Sequence, residues 1–265
     1  MALTFCSFAS GSSGNCYLVK SESTAILVDS GISGRRIFQC LKNTNTDPDS
    51  VTAMLITHEH HDHIMSLQTI NKRIPKIRVY ASGGTWRHIN SLVDENKQEV
   101  FETGKSFFIN DIEIKPFLLS HDAAEPVGFA FRSGEKQLCI LTDTGCIDER
   151  IYREIEDADL LVLEANHDVE MLRMGRRYPF FLKQRILGAH GHLSNVDAAE
   201  TICRLLSGKK KERHVLLAHL SRENNFPEMA YLTVKNRLAE KDFYIGAGFL
   251  LSIIARDEMS LVYTL

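Results

Sequence analysis

The chain has 265 residues, of which 44% are hydrophobic and 25% are charged, and its formal net charge is -3 at pH 7. A chain of this length and apolar content can bury one large core, so we expect a single domain over residues 1–265. The slight negative charge excludes a protein that binds nucleic acid through a uniformly basic surface, but it is compatible with a local basic face.

Six cysteines are scattered along the chain without a C-x-x-C pair, a pattern typical of reduced thiols rather than of a disulfide framework. The N-terminus has neither a charged start nor a long apolar core, and no apolar run approaches the length of a membrane span. We therefore expect a cytoplasmic protein without membrane contact, and the sequence indicates no obligate protein partner.

The first predicted elements are two strands, at 3–8 and 17–20, joined by a loop of glycine, serine and asparagine at 10–15. Such a loop is either a plain hairpin connection or a turn that presents N-H groups and hydroxyls to an anion. In the second case Ser12, Ser13 and Asn15 are candidate phosphate contacts. The next strand is predicted within 25–31 and ends in Asp29. Its carboxylate either orients a neighbouring metal loop or caps the helix predicted to begin near Ser33.

A buried strand at 51–56 leads into the sequence Thr-His-Glu-His-His-Asp-His at 57–63, and a helix is predicted to start at 64. This stretch contains four potential metal ligands, His58, His60, Asp62 and His63. Histidine and aspartate lose hydration when they are crowded together, and a bound cation removes that cost. Imidazole and carboxylate ligands favour zinc, with manganese or iron as alternatives. A histidine-rich surface loop is the competing interpretation, but the buried strand before the stretch disfavours it.

Further strands are predicted at 77–81, 105–110, 112–119, 127–131, 137–141, 160–163, 215–218, 249–255 and 260–263, and helices at 85–93, 148–155, 196–206 and 227–238. Three isolated candidate ligands stand where apolar strands stop: His121, Asp143 and His219. The strands cluster into an early and a late group, with helices in each half. An αββα four-layer sandwich of the α/β class would bury both groups and bring the strand ends to one edge. Periodicity alone does not choose it over other α/β layouts.

These candidate ligands, in this order along the chain, resemble the five-motif pattern of dinuclear metallo-β-lactamase-fold hydrolases. The resemblance implies the αββα fold and two divalent metal ions, with zinc as the first expectation. The first ion would be held by His58, His60 and His121. The second would be held by Asp62, His63 and His219, and the bridging carboxylate would be Asp143. Two such ions can activate a shared water as the attacking hydroxide.

Two further segments resemble ribonuclease Z, a phosphodiesterase of this fold. Ala-His-Leu-Ser at 218–221 is similar to its T-H-F-S motif, and Leu-Glu-Ala at 163–165 is similar to its H-E-A-T segment. The glutamate of that segment pairs with a histidine like the one in Gly-His-Leu-Ser at 191–194. The resemblance implies that Glu164 orients His192, which donates a proton to the leaving oxygen of a phosphodiester. Asp62, a ligand of the second ion, is also placed among the catalytic residues.

The segments at 10–17, 120–123, 126–128, 166–168 and 191–195 together resemble the YycJ/WalJ family of bacterial metallo-β-lactamase-fold proteins. This likeness spans nearly the whole chain. It implies an exonuclease that acts on DNA from the 5′ end, and it adds three candidate substrate contacts, His167, Ser194 and Asn195.

The stretch at 171–185 mixes basic and aromatic residues. It either grips a nucleic-acid backbone through Arg176 and Arg177 and stacks bases, or it forms an amphipathic helical insert with a solvated basic face. The sequence leaves both interpretations open.

The preferred functional hypothesis is therefore a dinuclear metal-dependent phosphodiesterase whose nucleic-acid partner is DNA. The alternative is a small-molecule thioester or lactone hydrolase of the glyoxalase II type, which has less need of a separate proton donor such as His192. A third hypothesis is a regulatory binding protein that keeps its metals for structure, and the intact ligand set disfavours it.

Overall fold

The computed structural model of the protein describes residues 2–208 and 211–265. The strands in these ranges are β1 Thr4–Ala9, β2 Cys16–Lys20, β3 Ala25–Val28, β4 Val51–Leu55, β5 Arg78–Ser82, β6 Gln98–Phe101, β7 Phe107–Ile109, β8 Ile112–Leu118, β9 Val127–Ser133, β10 Lys136–Leu141, β11 Leu160–Glu164, β12 Arg213–Ala218, β13 Phe249–Ile253 and β14 Tyr263–Thr264. The α-helices there are α1 Gly34–Asn43, α2 His61–Ile64, α3 Leu67–Arg73, α4 Gly83–Ile89, α5 Glu149–Ile155, α6 Val169–Met174, α7 Phe180–Leu187, α8 Asn195–Ser207 and α9 Pro227–Ala239.

The strands form two mixed sheets. The first has the order β14-β1-β2-β3-β4-β5-β6, and the second has the order β13-β12-β11-β10-β9-β8-β7. Strands β3 to β6 run parallel in the first sheet, and β10 to β13 run parallel in the second. The remaining pairs are antiparallel. The carboxyl ends of the parallel strands in each sheet therefore share one edge, which is where α/β proteins commonly place their sites.

Three apolar clusters hold the layers together. The cluster between the sheets contains fully buried aromatic rings, among them Phe5, Tyr17, Phe129 and Phe131. A second cluster packs α1, α3 and α4 on the outer face of the first sheet, and a third packs α5, α8 and α9 on the outer face of the second. Each sheet is thus buried on both faces, which explains its nearly continuous apolar strands. The predicted αββα sandwich is confirmed.

The structure differs from the sequence-based expectation at the sheet edges. Strand β6 was not predicted, because Gln-Glu-Val-Phe is an edge strand in which only Phe101 is buried. The last strand is shorter than predicted and pairs with β1 in the first sheet, so the chain crosses from the second sheet to the first after β13. No helix in the described ranges is long and apolar enough to traverse a lipid bilayer.

Candidate active site

The candidate ligands lie together because their strands end at the same edge of the sandwich. Asp29 directly follows β3, Asp143 comes shortly after β10, and His219 directly follows β12. All three have a left-handed backbone, with φ of 59°, 63° and 56° respectively. Residues other than glycine seldom adopt this conformation, which costs about 1 to 3 kcal/mol each, and it clusters at functional sites.

The His58 to His63 segment forms the strand-to-helix turn that the sequence predicts. His58 and His60 precede α2, whereas Asp62 and His63 lie within it. The loop after β3 supports this turn, since Ser30 N-H donates to the His63 carbonyl over 2.7 Å. Gly31 packs so closely that a Cβ there would overlap the Asp62 carbonyl. A side chain at this glycine would therefore displace the turn.

The first ligand cluster consists of His58, His60 and His121, each offering an atom within 4.8 Å of the others. His58 Nε2 lies 3.0 Å from His60 Nδ1. His121 Nδ1 donates to the Gly191 carbonyl over 3.1 Å, which leaves Nε2 facing the cluster. These are the three residues that the resemblance assigns to the first ion.

The second cluster consists of Asp62, His63 and His219. Each histidine is held through Nδ1 by a buried carboxylate: Asp29 lies 2.8 Å from His63 Nδ1, and Glu164 lies 2.7 Å from His219 Nδ1. Both rings therefore turn Nε2 toward the cluster, the usual arrangement of metal-binding histidines.

Asp143 lies between the two clusters. Its Oδ2 is 3.2 Å from His63 Nε2, and its Oδ1 is 3.5 Å from His219 Nε2 and 3.9 Å from His121 Nε2. A carboxylate that reaches histidines of both clusters has the position that a bridging ligand requires.

Unpartnered polar atoms test whether the residues fit a metal pair. In the described part of the chain, His121 Nε2, Asp143 Oδ2 and His219 Nε2 are buried without a hydrogen-bond partner. Burying such atoms unsatisfied costs about 1 to 3 kcal/mol each. All three point into the clusters and are nitrogen or oxygen donors of the kind that divalent cations bind. The residues present fit two divalent ions.

The electrostatics of the site also favour cations. Burial alone would raise the pKa of Asp143, but His219 and His63 hold it well below its ordinary value. Burial alone would lower the pKa of His219, but the carboxylates of Asp143 and Glu164 raise it to about 9. Burial and the neighbouring His63 lower the pKa of His58, which keeps that ring neutral, as a ligand must be.

The structure decides between the two interpretations of Asp29. Its Oδ1 accepts from Thr57 N-H and its Oδ2 contacts both Thr57 Oγ1 and His63 Nδ1, whereas the N-cap of α1 is Ser33. Asp29 is fully buried beneath the metal turn, so it supports the turn rather than the helix.

We expect Asp29→Asn to weaken metal binding at the second cluster by about 10- to 100-fold, the usual loss when the carboxylate behind a metal-binding histidine is removed. Metal titration monitored by calorimetry measures this change. Ser33→Ala is the matched control, because it removes the helix cap and about 1 kcal/mol of stability but should leave the metal affinity unchanged. If the Asp29 variant binds metal with the same affinity as the parent, Asp29 contributes to folding and not to metal binding.

Glu164 supports more of the site than the sequence predicts. Its Oε1 accepts from His192 Nδ1 over 2.8 Å as well as from His219, and its Oε2 accepts from the backbone N-H groups of Thr144 and Leu193. These bonds occupy both oxygens, so Glu164 orients two histidines and is not itself free to bind an ion. Burial alone would raise its pKa, but His192 and His219 lower it to about 2.

A cleft of about 260 Å³ opens over these residues, lined among others by His60, Asp62, His121, Asp143, His192 and His219. Ser12 also lines it, as the loop prediction requires. A larger cavity of about 440 Å³, near the start of β12 and along β14, contains none of the candidate ligands, so chemistry rather than size identifies the site.

Four predicted substrate contacts are buried behind the cleft. Asn15 donates to His63 Nε2 and Gly11 O, Ser194 caps α8, and Asn195 bonds to Asn225. His167 is 1% exposed, and neither ring nitrogen has a partner within 2–208 and 211–265. Packing and internal hydrogen bonds enclose these side chains, so direct substrate contact by them stays a prediction.

The other three predicted contacts are exposed. Ser13 donates to Asp257, Arg177 pairs with Glu223, and Arg176 extends from the loop between α6 and α7. The sequence-based analysis did not include His190 in the site, yet it lines the cleft together with Tyr178 and Arg185 of the basic and aromatic stretch at 171–185. The His-Gly-His sequence at 190–192 is the one signal that would have drawn attention to His190.

Comparison with known proteins gives a consistent result. Residues 24–219 match the family described as the beta-lactamase superfamily domain. The chain is 41% identical over 246 residues to the exodeoxyribonuclease WalJ of Streptococcus pneumoniae, covering 91% of this chain and 90% of that protein. It is 39% identical over 252 residues to the exodeoxyribonuclease YycJ of Bacillus anthracis, covering 94% of each.

Among solved structures, the metallo-β-lactamase fold protein YhfI of Bacillus subtilis has a TM-score of 0.74 at 16% identity and covers 100% of both chains. This likeness bears on the fold alone and agrees with the two-sheet architecture. The resemblance drawn from the sequence is confirmed: the chain belongs to the beta-lactamase superfamily and, within it, to the family of the WalJ and YycJ exodeoxyribonucleases.

Proposed function

We propose that the protein is a DNA exonuclease that requires two divalent metal ions and acts from the 5′ end. Its relatives are named exodeoxyribonucleases, which supports a nucleic-acid substrate, and the family resemblance supplies the polarity. Within this chain one observation carries the proposal. His192 belongs to neither cluster of three, but it lies close to Asp143, Glu164 and His219. It lines the cleft and is held by Glu164, with its Nδ1 3.6 Å from the Asp143 carboxylate.

The residues that would hold the first ion are His58, His60 and His121. Those that would hold the second are Asp62, His63 and His219, with Asp143 shared between the two. A ligand set dominated by imidazole favours zinc, with manganese or iron as alternatives. When bound, such ions supply Lewis acidity toward a phosphodiester and lower the pKa of a coordinated water.

His192 would supply the proton that the leaving oxygen needs. Glu164 accepts the Nδ1 hydrogen, so the ring is fixed in one orientation and Nε2 remains to deliver the proton. A positioned general acid contributes about 10²- to 10⁴-fold to the rate. Hydrolysis of an activated thioester or lactone gains little from such a donor, so the alternative of a small-molecule hydrolase is not favoured.

The exposed arginines Arg176 and Arg177 would bind backbone phosphates beside the cleft. Replacing both with alanine should weaken DNA binding and flatten the dependence of log K on log salt, by about 0.7 for each phosphate of a single strand that an arginine no longer neutralises. Fluorescence anisotropy at several salt concentrations measures the slope.

The matched control removes the same charge at the opposite edge of the sandwich. Lys76 and Arg78 lie at the start of β5, away from the strand ends that carry the ligands, and both are exposed. The double alanine variant at these positions should keep the slope of the parent. If the parent and both double variants have the same salt slope, Arg176 and Arg177 do not bind backbone phosphates and only form part of the solvated surface.

The substrate class is tested by offering metal-loaded protein a single-stranded DNA, the RNA of the same sequence, a thioester and a lactone. We expect degradation of the DNA in preference to the other three. If the protein hydrolyses the thioester or the lactone and leaves the DNA intact, the small-molecule hydrolase becomes the favoured function. If it degrades RNA in preference to DNA, the proposed substrate changes from DNA to RNA.

A further inference from the structure

The cleft over the ligand clusters is small for the substrate that the proposed function requires. Its volume is about 260 Å³, whereas clefts that bind one small ligand usually measure about 300 to 1,000 Å³. An exonuclease has to admit the end of a DNA chain, which is larger than one small ligand. Entry of this chain end therefore requires that a wall of the cleft move aside.

Most of the cleft is built from rigid parts of the fold. The buried ligands His121, Asp143 and His219 follow strands of the second sheet. The exception is the segment from Gly175 to Gly188, called the arm below, which contains α7. The arm lines the cleft through Tyr178, Leu182, Arg185 and Ile186. None of the residues of α7, all of which the structure describes, is fully buried, so the arm has little packing to lose when it moves.

The C-terminal end of the arm is anchored to the site. The His192 N-H donates to the Ile186 carbonyl over 3.0 Å, and a Cβ at Gly191 would overlap the same carbonyl. Directly after the arm, the Ala189 carbonyl accepts from Ser120 Oγ over 2.8 Å. These contacts fix the last turn of α7 beside the ligand loops, so a movement of the arm pivots at this end.

Two ion pairs on the surface tie the arm to the catalytic loops. Arg177 pairs with Glu223 in the loop after β12, and Arg185 pairs with Asp122 in the loop after β8, over 2.8 Å in the second case. Three strands of the second sheet separate these loops, and each loop also carries a metal-ligand candidate. The two arginine side chains are 77% and 57% exposed, respectively. Exposed ion pairs are weak and are screened by salt, so these ties open easily.

We propose that the arm is a lid that opens about its C-terminal end to admit DNA and closes on the bound strand, as Arg177 and Arg185 exchange their carboxylate partners for backbone phosphates. This inference rests on the proposed nuclease function and adds the step by which the substrate enters. Guanidinium groups bind carboxylates and phosphates in the same bidentate manner. The strand therefore replaces Glu223 and Asp122, and the arm closes on it without leaving either cation unpaired.

Amide hydrogen exchange of the metal-loaded protein without DNA, followed by mass spectrometry, measures the opening. We expect the arm to exchange at least about tenfold faster than α8, whose packed face is buried. Exchange in the arm should be faster at about 1 M salt than at about 0.1 M, because salt screens the ion pairs. Glu223→Gln should accelerate it by about 1.5- to 5-fold, the range for one exposed ion pair. Glu99→Gln is the matched control, since it removes the exposed pair with Arg78 on the first sheet.

A charge swap separates the ion pair from other effects of the substitution. Glu223→Arg places two cations together and should accelerate exchange in the arm more than Glu223→Gln does. The combination of Arg177→Glu with Glu223→Arg restores the pair and should return exchange to about the rate of the parent. Exchange in α8 that stays at the parent rate shows that each variant is folded. If the parent's arm exchanges as slowly as α8, or if Glu223→Arg exchanges like the parent, the lid is overturned.

Bound DNA tests the exchange of partners. With a DNA duplex protected by phosphorothioate linkages, exchange in the arm of the parent should slow by at least about tenfold, because the arm closes on the strand. Glu223→Gln should then exchange at the rate of the DNA-bound parent, since Glu223 no longer holds Arg177 in either protein. If the variant still exchanges faster than the parent when DNA is bound, Arg177 keeps its carboxylate and the exchange of partners is overturned.

The outcomes distinguish the lid from the proposed function. A parent protein that neither binds nor degrades DNA overturns both. A parent that degrades DNA, but whose arm exchanges at the same rate with and without the protected DNA, overturns the lid alone. Degradation of DNA together with an arm that opens in the free protein and closes in the complex supports both.

Discussion

Replacing Asp143 with alanine is expected to remove metal from both clusters and to lower nuclease activity by at least about 10³-fold. Asp143 is the buried carboxylate that approaches histidines of both clusters, at 3.2 Å from His63, 3.5 Å from His219 and 3.9 Å from His121. Its loss would remove one ligand from each ion and several kcal/mol of charge stabilisation, and each 1.4 kcal/mol corresponds to about tenfold in rate.

Metal content per chain, determined by mass spectrometry after dialysis, measures this effect independently of activity. Asp143→Asn keeps the volume and one oxygen but removes the charge, so it should lose metal less completely. His61→Ala is the matched control within the same motif, because His61 is exposed and belongs to neither cluster. Metal content in Asp143→Ala equal to that of the parent would contradict the shared position of this carboxylate.

His192→Ala is expected to keep both metals and the fold but to hydrolyse DNA about 10²- to 10⁴-fold more slowly. The ring lies outside both ligand clusters, and its orientation depends on the 2.8 Å bond to Glu164. Bis-p-nitrophenyl phosphate should be affected much less, because its leaving group departs without a proton. Both rates are measured on metal-loaded protein, with His88→Ala, an exposed residue of α4, as the control.

Glu164→Gln adds a second readout. Since Glu164 also holds His219, this variant should lose metal affinity as well as proton donation, whereas His192→Ala should lose proton donation alone. If His192→Ala lowers the hydrolysis rates of DNA and of bis-p-nitrophenyl phosphate by the same factor, His192 is not the general acid. Undiminished DNA hydrolysis in this variant would remove His192 from the reaction.

The ligand clusters could be predicted from the sequence because each candidate stands at the end of an apolar strand. The carboxyl ends of parallel strands meet at one edge of a sheet, which brings Asp143 and His219 together in the second sheet. That His58 of the first sheet lies at the same edge of the sandwich followed only from the family resemblance. The family resemblance then divided seven candidates between two ions. The structure brings together both of these groups of three, and it also places Asp143 within reach of His58 and His63, and of Glu164, His192 and His219.

The supporting contacts could not be predicted, because they depend on which way a side chain turns after its strand ends. The left-handed backbone at Asp29 directs its carboxylate beneath His63 and away from the helix that follows. The same limit explains the buried substrate candidates. Composition shows that Asn15 and Asn195 lie in polar loops, but the three-dimensional packing decides that both face inward.

The most direct test of the proposed function is a time course on DNA labelled at one end. Metal-loaded protein is incubated with a single strand carrying its label at the 5′ end, and in parallel with the same strand labelled at the 3′ end. Exonuclease action from the 5′ end predicts that the first sample releases only short labelled products from the earliest time. The second sample should show a ladder that shortens progressively, and a chelator should abolish both reactions. The proposal would be contradicted by internal cuts at early times, by a ladder that appears with the 5′ label instead, or by DNA that remains intact while the protein retains two metal ions.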